Sequence, residues 1–244
     1  MHHSFFIKSF VYAILAVGML SYTQAAPYKK YAPWVGDNFK GVPCRGPEMT
    51  FGPYDYLLRH QLPKELHIVE KHHFAPSVEQ LIQGQTTTSP MGDISYTLTA
   101  WPNHHRALYS AIRFRVNTLN SKVKPKYTEA ECFLQRAIHY SPEDGTAYML
   151  YGILLHQTKH KNLALKNYRK ALELQPQNAQ AKYNLALLLV DLKKYAEAKK
   201  YALELYTKGY PLPGLKDNLK SVGQWNKEDE KKLHSESSGI PKVE

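Results

Sequence analysis

The sequence is constrained most strongly by an internal repeat with a 34-residue period. Residues of one type recur at that spacing, namely Ala130, Ala164 and Ala198, then Ala137 and Ala171, then Pro142 and Pro176. A unit of this length is one supersecondary element that cannot bury its apolar face alone, so neighbouring units must stack. Each proline ends a helix because it cannot donate the next backbone hydrogen bond. The spacing therefore predicts stacked helical hairpins.

The clearest unit spans residues 145–178, and its length is the period of the tetratricopeptide repeat, in which two antiparallel helices pack closely. Small residues at Gly152 and Ala164 would allow that approach, while larger side chains fill the space between the helices. The positions that fit this pattern are Tyr148, Tyr151, Gly152, Leu155, Ala164, Tyr168, Ala171 and Pro176. An ordinary helical bundle is disfavoured because a second unit continues in the same register.

The predicted architecture is mainly α-helical, with about three tetratricopeptide helix-turn-helix units in an array over residues 107–212. The units span 107–144, 145–178 and 179–212. A capping helix is expected at 213–225, because terminal repeats need a polar outer face. Residues 226–244 are charged and poor in apolar side chains, so we predict a disordered tail.

Residues 1–25 have the pattern of a secretory signal peptide. Lys8 precedes an apolar run from Phe10 to Leu20, and Ala25 offers a small residue for cleavage. The run is shorter than the ~20 residues that a membrane-spanning helix needs, although an uncleaved anchor is the alternative. We expect a periplasmic or otherwise exported protein, soluble after cleavage, whose residues 26–43 form an extended leader.

Residues 44–106 predict a small α/β cap ahead of the repeats. Apolar and polar residues alternate from Ile94 to Ala100, which indicates a half-buried strand, and Leu66–Val69 is a weaker strand candidate. A helix is expected from Ser77 to Ile82 because Ser77 opens a capping-box pattern. Asn103 is expected to cap a further helix that begins at His104.

Several phrases in and just beyond this cap resemble a family of exported tetratricopeptide proteins from proteobacteria. They are Cys44-Arg45-Gly46-Pro47, Phe51-Gly52-Pro53-Tyr54-Asp55-Tyr56, Gly92-Asp93-Ile94-Ser95-Tyr96-Thr97-Leu98 and Pro102-Asn103-His104-His105-Arg106-Ala107-Leu108. The resemblance runs from about Cys44 to Trp225. It implies an exported repeat protein, and it implies no activity, because the family has no assigned function.

The formal net charge is +11, which favours acidic partners such as protein surfaces or lipid headgroups. Export argues against a nucleic-acid partner, and most cations alternate with acidic residues, as on a solvated helix face. Weak contact with an anionic membrane surface is a further hypothesis.

Only two cysteines are present, Cys44 and Cys132. In an oxidising compartment a lone distant pair suggests one structural disulfide. Two buried thiols are an equally weighted alternative.

Histidines in the cap raise a second functional hypothesis, a metal-binding or hydrolytic protein. The candidates are His72, His73, His104 and His105, since imidazoles with a nearby carboxylate can hold zinc or copper. No spacing of the H-E-x-x-H type supports such a site, and motifs for nucleophilic catalysis are absent. We therefore predict no metal, no cofactor and no enzymatic activity.

His104, His105 and Arg106 are expected in the first turn of a helix, where free N–H groups favour an anion. The sequence favours an internal carboxylate over an external ligand there, with Asp55 or Asp93 as the acceptor.

The concave face of the array, formed by the first helix of each unit, is the predicted binding groove for a peptide or amphipathic helix. Its expected residues are Ile112, Arg115, Met149, Ile153, His156, Tyr183, Leu187 and Asp191. A clamp for chaperone tails is disfavoured by Leu119, Leu150 and Gln180 at three of its five positions. The alternative is a groove filled by the protein's own cap or tail. The favoured function is a non-enzymatic interaction module or assembly factor of the bacterial cell envelope, with a protein or peptide partner.

Overall fold

The computed structural model describes residues 31–48, 51–119 and 127–237. Its α-helices are α1 Pro63–His73, α2 Pro76–Glu79, α3 Pro90–Ala100, α4 His105–Thr118, α5 Ala130–Tyr140, α6 Gly145–Gln157, α7 Lys161–Leu174, α8 Ala179–Asp191, α9 Tyr195–Thr207, α10 Gly214–Ser221 and α11 Lys227–Ser237. A short 3-10 helix, Tyr56–Leu58, precedes them. None of the helices in these ranges is long and apolar enough to cross a bilayer. The predicted signal peptide lies outside the described residues.

The same turn joins successive helical hairpins. After the second helix of a hairpin comes a proline and, two positions later, a capping residue whose side chain accepts the N–H of an alanine three positions on. The three capping residues and their donors are His104 with Ala107, Asp144 with Ala147, and Asn178 with Ala181. Each of these alanines is fully buried. His104, rather than the predicted Asn103, therefore caps α4.

The predicted strand from Ile94 to Ala100 is wrong, because these residues form most of α3. Their alternating pattern is misleading because the helix is buried on nearly all sides, polar residues included. The hydroxyls of Thr97 and Thr99 are satisfied within the helix by carbonyls four residues earlier. Ser89 caps this helix and Pro90 opens it.

The second predicted strand, Leu66–Val69, is also wrong, since it lies within α1. The helix expected from Ser77 is the short α2, which begins at Pro76 and ends at Glu79. The regular secondary structure of residues 51–106 is entirely helical, so the α/β assignment of the cap does not hold there. Because α3 ends in the same Pro turn as α5 and α7, α1 and α3 form one further hairpin ahead of the predicted array.

The hairpins are not all the same length. The caps Asp144 and Asn178 are one repeat period apart, whereas His104 precedes Asp144 by six positions more than that period. The second helices nevertheless keep the regular step at Ala130 and Ala164. Six additional residues therefore lie between α4 and α5. A residue of α4 is therefore equivalent to the residue of α6 that follows it by 40 positions, and not to the one that follows it by 34.

Within the clearest hairpin, α6 and α7 touch at Gly152. A Cβ atom at this position would lie 2.5 Å from the Tyr168 ring, which explains why glycine occupies the middle of a helix. Ala164 and Ala171, fully buried on α7, complete the close contact. The small residues predicted from the repeat are thus the ones that set the distance between the helices.

The C-terminal segment is helical as far as Ser237, so the predicted disordered tail is wrong over 227–237. α10 buries Leu215 and Leu219 against the last repeat. α11 then packs on α9, where Asp229, 3% exposed, pairs with Lys199 at 2.8 Å. Trp225, just before α11, is buried in the same core. Specific contacts order a segment whose composition alone favours disorder.

The described part of the predicted leader continues past residue 43, and residues 31–48 together cross α5 as an extended strap, which we call the leader from here on. The predicted Cys44–Cys132 disulfide is confirmed and joins the strap to α5, with Cα atoms 5.4 Å apart. Trp34 packs edge-on against Phe133 with ring centroids 5.3 Å apart, and farther along the strap Phe39 stacks on His160. The leader therefore reaches from one hairpin to the next.

Two non-glycine residues adopt left-handed backbone conformation at equivalent turns. Lys159 follows α6 with φ of 68° and Lys193 follows α8 with φ of 59°. The two positions are one repeat period apart, so the turn requires this conformation in both repeats. Glycine adopts it without steric strain, whereas a side chain costs roughly 1–2 kcal/mol.

We expect Lys159→Gly and Lys193→Gly each to raise the free energy of unfolding by about 0.5–1 kcal/mol. Urea denaturation of each variant measures the change. The matched control is Lys200→Gly, within α9, which should lower the same quantity by about 1 kcal/mol. If all three substitutions destabilised equally, backbone strain at the turns would be disproved.

Candidate functional site

The first helices of three hairpins, α4, α6 and α8, form one wall of a groove with a volume of about 760 Å³. We call it the concave groove. Its lining residues are Tyr109, Met149, Leu150, Ile153, His156, Gln157, Lys159, Tyr168, Gln180, Asn184, Leu187, Asp191 and Leu212. Five of the predicted residues are among them, namely Met149, Ile153, His156, Leu187 and Asp191.

Three predicted groove residues lie elsewhere. Ile112 is fully buried in the core formed with α5 and α6. Arg115 donates from Nε and Nη2 to Glu131, at 2.9 Å each, and lies against the Phe39 ring of the leader. Tyr183 is buried beside Tyr210, with ring centroids 5.0 Å apart. These three side chains hold the fold together and do not line the groove.

The two errors on α4 follow from the longer shift between His104 and Asp144. With that shift, the position equivalent to Met149 is Tyr109, and the position equivalent to the buried Gly152 is Ile112. Tyr109 does line the groove and is 47% exposed. This shift can be identified in the sequence by aligning the three capping turns, at His104, Asp144 and Asn178.

Tyr183 is excluded from the groove by its packing against Tyr210, although Met149, one period earlier, lines it. Lining residues on α6 recur one period later on α8 as three pairs: Leu150 with Asn184, Ile153 with Leu187, and Gln157 with Asp191. Their spacing places them on one face of each helix. The prediction started from Tyr183, one residue before that face.

Six of the thirteen lining residues of the concave groove have polar or charged side chains, and four of these are paired, in two groups. His156 Nε2 lies 2.9 Å from Asp191 Oδ2, and Lys161 approaches the same carboxylate. At the other end, the Tyr210 hydroxyl donates to Gln180, whose amide donates to Asn184 at 3.1 Å. The groove therefore has apolar side chains in the middle, amide groups at one end, and at the other end the Asp191 carboxylate, which His156 and Lys161 contact.

Neither terminal segment covers the concave groove in the part of the chain that the structure describes. The leader lies on α5 and reaches His160, while α11 lies on α9, and no residue of either contributes to the lining. The alternative of a groove filled by the protein's own cap or tail is not what the described residues show.

Three of the four histidines proposed as metal ligands contact different carboxylates. His73 Nδ1 contacts Asp93 at 2.9 Å, His104 Nε2 contacts Glu70 at 3.0 Å, and His105 Nε2 contacts Asp144 at 2.8 Å. His72 is exposed at the end of α1. No group of three or more candidate ligands converges in the ranges 31–48, 51–119 and 127–237.

The predicted anion site at the start of α4 is occupied by internal carboxylates, although by different ones from those expected. Arg106 forms a two-point ion pair with Glu79, and Glu70 lies between Arg106 and His104. Hydrogen bonding to Arg106 holds the pKa of Glu79 below its ordinary value. These contacts tie α1 and α2 to α4.

Asp55 and Asp93, the acceptors we expected for that site, have other roles. Asp93 accepts the backbone N–H groups of residues 85–87 and so shapes the loop before α3. Asp55 accepts from Asn103 and from Ser141, both fully buried. Asn103 in turn donates to Asp144 at 2.9 Å, which links two successive inter-hairpin turns.

His104 is a neutral, fully buried cap. Its Nδ1 accepts the Ala107 N–H at 3.1 Å, so the ring proton is on Nε2, which donates to Glu70. Burial lowers the pKa of His104 below its ordinary value of 6.5. In the unfolded chain this imidazole binds a proton more readily than in the folded protein. The stability that the neutral His104 cap contributes is therefore lost as the pH falls below about 6.5.

We expect the free energy of unfolding to fall between pH 6.5 and pH 5 and to fall less in His104→Asn. Asparagine caps the equivalent turn at Asn178, so it keeps the cap while removing the titrating ring. Urea denaturation across this pH range measures both slopes. Parallel pH profiles for the two proteins would contradict this assignment.

Comparison with known proteins supports the repeat. A family model described as Tetratricopeptide repeat matches residues 67–215, more than half of the 244-residue chain. The match begins inside α1, so it includes the hairpin of α1 and α3 that the period alone did not identify. No curated protein matches the chain.

Proposed function

Because the chain belongs to the tetratricopeptide repeat family, we propose that it is a non-enzymatic protein-binding module that acts as an assembly factor of the bacterial cell envelope. Repeats of this family generally mediate contacts between proteins and are typically non-catalytic. The ligand is a peptide or helix of a partner protein, held in the concave groove. The observation that carries the proposal is an apolar groove that neither the leader nor α11 covers.

The groove favours apolar anchors over charged ones. Ile153 and Leu187 lie at equivalent positions of successive first helices, so they would contact neighbouring parts of one ligand. Binding energy in such an interface concentrates in a few central, well-packed side chains. The exposed amide of Gln180 at one end would add a hydrogen bond to a ligand backbone.

The envelope location rests on two features of the chain. The signal-peptide pattern of residues 1–25 favours export with cleavage after Ala25, and a disulfide persists in an oxidising compartment. N-terminal sequencing of the protein from envelope fractions should begin at Ala26. A start at Met1 would contradict cleavage.

We expect Leu187→Glu to weaken binding of the groove ligand by at least tenfold, because it places a charge on an apolar contact. A photo-crosslinking residue at Ile153 would first identify the partner in envelope extracts. Titration calorimetry with that partner then measures the affinity of each variant.

The matched control is Ile82→Glu, at a position 69% exposed and remote from the groove, which should bind normally. A partner that is crosslinked at Ile153 but binds Leu187→Glu with unchanged affinity would contradict the proposal. Tyr183→Ala is unsuitable as a test because Tyr183 is buried in the fold.

A further inference from the structure

A second groove, with a volume of about 930 Å³, lies between α5 and α7 on the side formed by the second helices. We call it the α5–α7 groove. Its apolar lining comes from Val35, Ile138, Tyr148, Tyr151, Leu163 and Leu165, and the leader at Val35–Gly36 forms part of it. Lining residues on α7 extend from Asn162 to Glu173, a length of about 17 Å or three helical turns.

Leu163 is unusual at its position in the repeat. The equivalent residues of the neighbouring units, one period away on either side, are Glu129 and Glu197. Leu163 is 52% exposed, so a carboxylate would be well solvated here as well. A single exposed leucine is ordinary on a protein surface, but Leu163 is contiguous with Ile138, Tyr151 and Leu165 in the lining of the groove, and such a patch indicates a contact surface.

The edge of this groove is cationic. Lys166, Arg169 and Lys170 line it with a single carboxylate, Glu173. Arg169 and Lys170 have partial ion pairs with exposed glutamates, and Lys166 pairs with no carboxylate among the described residues. The lining of the concave groove, by contrast, contains one cation, Lys159, and one carboxylate, Asp191. By their lining residues alone, the α5–α7 groove is positively charged and the concave groove is neutral.

The charge of the chain itself argues against self-occupation. The start of the predicted leader, ahead of the described strap, contains Lys29 and Lys30, and the connection between α4 and α5 contains Lys122, Lys124 and Lys126. Either segment would bring positive charge to a positive edge.

We propose that the α5–α7 groove docks an acidic amphipathic helix from a partner protein. Its apolar face would cover Leu163 and the tyrosines, and its carboxylates would face Lys166 and Arg169. α5 and α7 border a groove about three helical turns long, and the helix of the partner would pack into this groove. Since this groove and the concave groove lie on different sides of the array, the protein can join two partners.

The proposal is tested by selecting random 16-residue segments, displayed on phage, against the oxidised protein. Retained segments should have a net negative charge and an apolar period of about 3.6 residues. By fluorescence anisotropy, Leu163→Glu should weaken their binding at least tenfold, and Lys166→Glu several-fold with a weaker dependence on salt. Leu163→Glu carries the residue of both neighbouring units, so the fold should tolerate it.

Leu187→Glu is the control for the other groove; because Leu187 also packs against the core of the last repeats, a urea denaturation curve first shows that the variant is folded, and it should then leave these segments bound. If selection retained no segments, or segments that were neutral or basic, the proposal would be overturned. It would also fail if Leu187→Glu, rather than Leu163→Glu, released them. Concentration-dependent dimerisation that Leu163→Glu abolishes would overturn it too, by assigning the groove to a second copy of the chain. Failure of the concave-groove function would appear separately, as unchanged partner affinity in Leu187→Glu.

Discussion

Removal of the Cys44–Cys132 disulfide, by the double substitution to alanine, is expected to lower the free energy of unfolding by about 4 kcal/mol. The bond closes a loop with a sequence separation of 88 residues, and the chain-entropy model gives this magnitude for such a loop. Its loss also leaves the strap held by noncovalent contacts alone. Among these, Gln135 donates to the Asp37 carbonyl at 2.8 Å, and Asn38 donates to Glu129 at 3.1 Å.

Urea denaturation of the oxidised and reduced protein, and of the double variant, measures this effect. Reduced protein and double variant should agree, because both lack the same constraint on the unfolded chain. Unfolding transitions of the oxidised and reduced protein at the same urea concentration would show that the disulfide does not stabilise the fold.

Arg136→Met is expected to lower the free energy of unfolding by about 3 kcal/mol. The guanidinium is 2% exposed and donates to the carbonyls of Ala32 at 2.9 Å and of Leu98 at 2.7 Å. Burial lowers its pKa to about 10, so it remains charged at neutral pH. Methionine preserves much of the volume but leaves these buried carbonyls without a charged donor, and each such hydrogen bond contributes about 1.5–3 kcal/mol.

The position of Arg136 explains why a single residue has this effect. Leu98 lies in the last turn of α3, where a cation also interacts favourably with the helix dipole. The Trp34 ring of the leader lies 4.8 Å from the guanidinium carbon. One side chain of α5 thus joins the leader, the first hairpin and the second.

Arg169→Met provides the matched control, since Arg169 is 53% exposed and its pair with Glu197 is solvated. It should change stability by less than about 0.5 kcal/mol. Urea denaturation, with Trp34 among the tryptophans whose fluorescence reports the transition, measures both variants. Equal stability of Arg136→Met and the unchanged protein would show that the buried donor is replaceable.

The sequence predicted those features of the hairpins that depend on residues close together in the chain. The alanines at the repeat spacing, the glycine at 152 and the proline turns each act within one or two neighbouring helices, so residue type and spacing suffice to predict them. The pairing of Cys44 with Cys132 was also predicted, because no other cysteine competes for either.

Other errors arose where long-range contacts override a local pattern. α3 alternates like a strand, yet it is a helix because packing on several sides buries both its apolar and its threonine faces. α11 has a composition typical of disorder, yet Asp229 pairs with Lys199 of α9 and orders it. The residues that pack against α3 and α11 belong to other helices, so the sequence of either helix alone does not show them.

The sequence by itself determined that this chain is a stack of tetratricopeptide hairpins, because period and small residues are properties of the chain; it suggested the crosslink, which the structure decided. Only the tertiary structure decided which residues face the concave groove. Six additional residues before α5 shift α4 relative to the repeat, and packing against Tyr210 places Tyr183 in the core, whereas the next residue, Asn184, lines the groove. The tertiary structure also brought Val35 of the leader to the groove that Leu163 of α7 lines, because the strap is fixed across α5 by contacts distant in sequence.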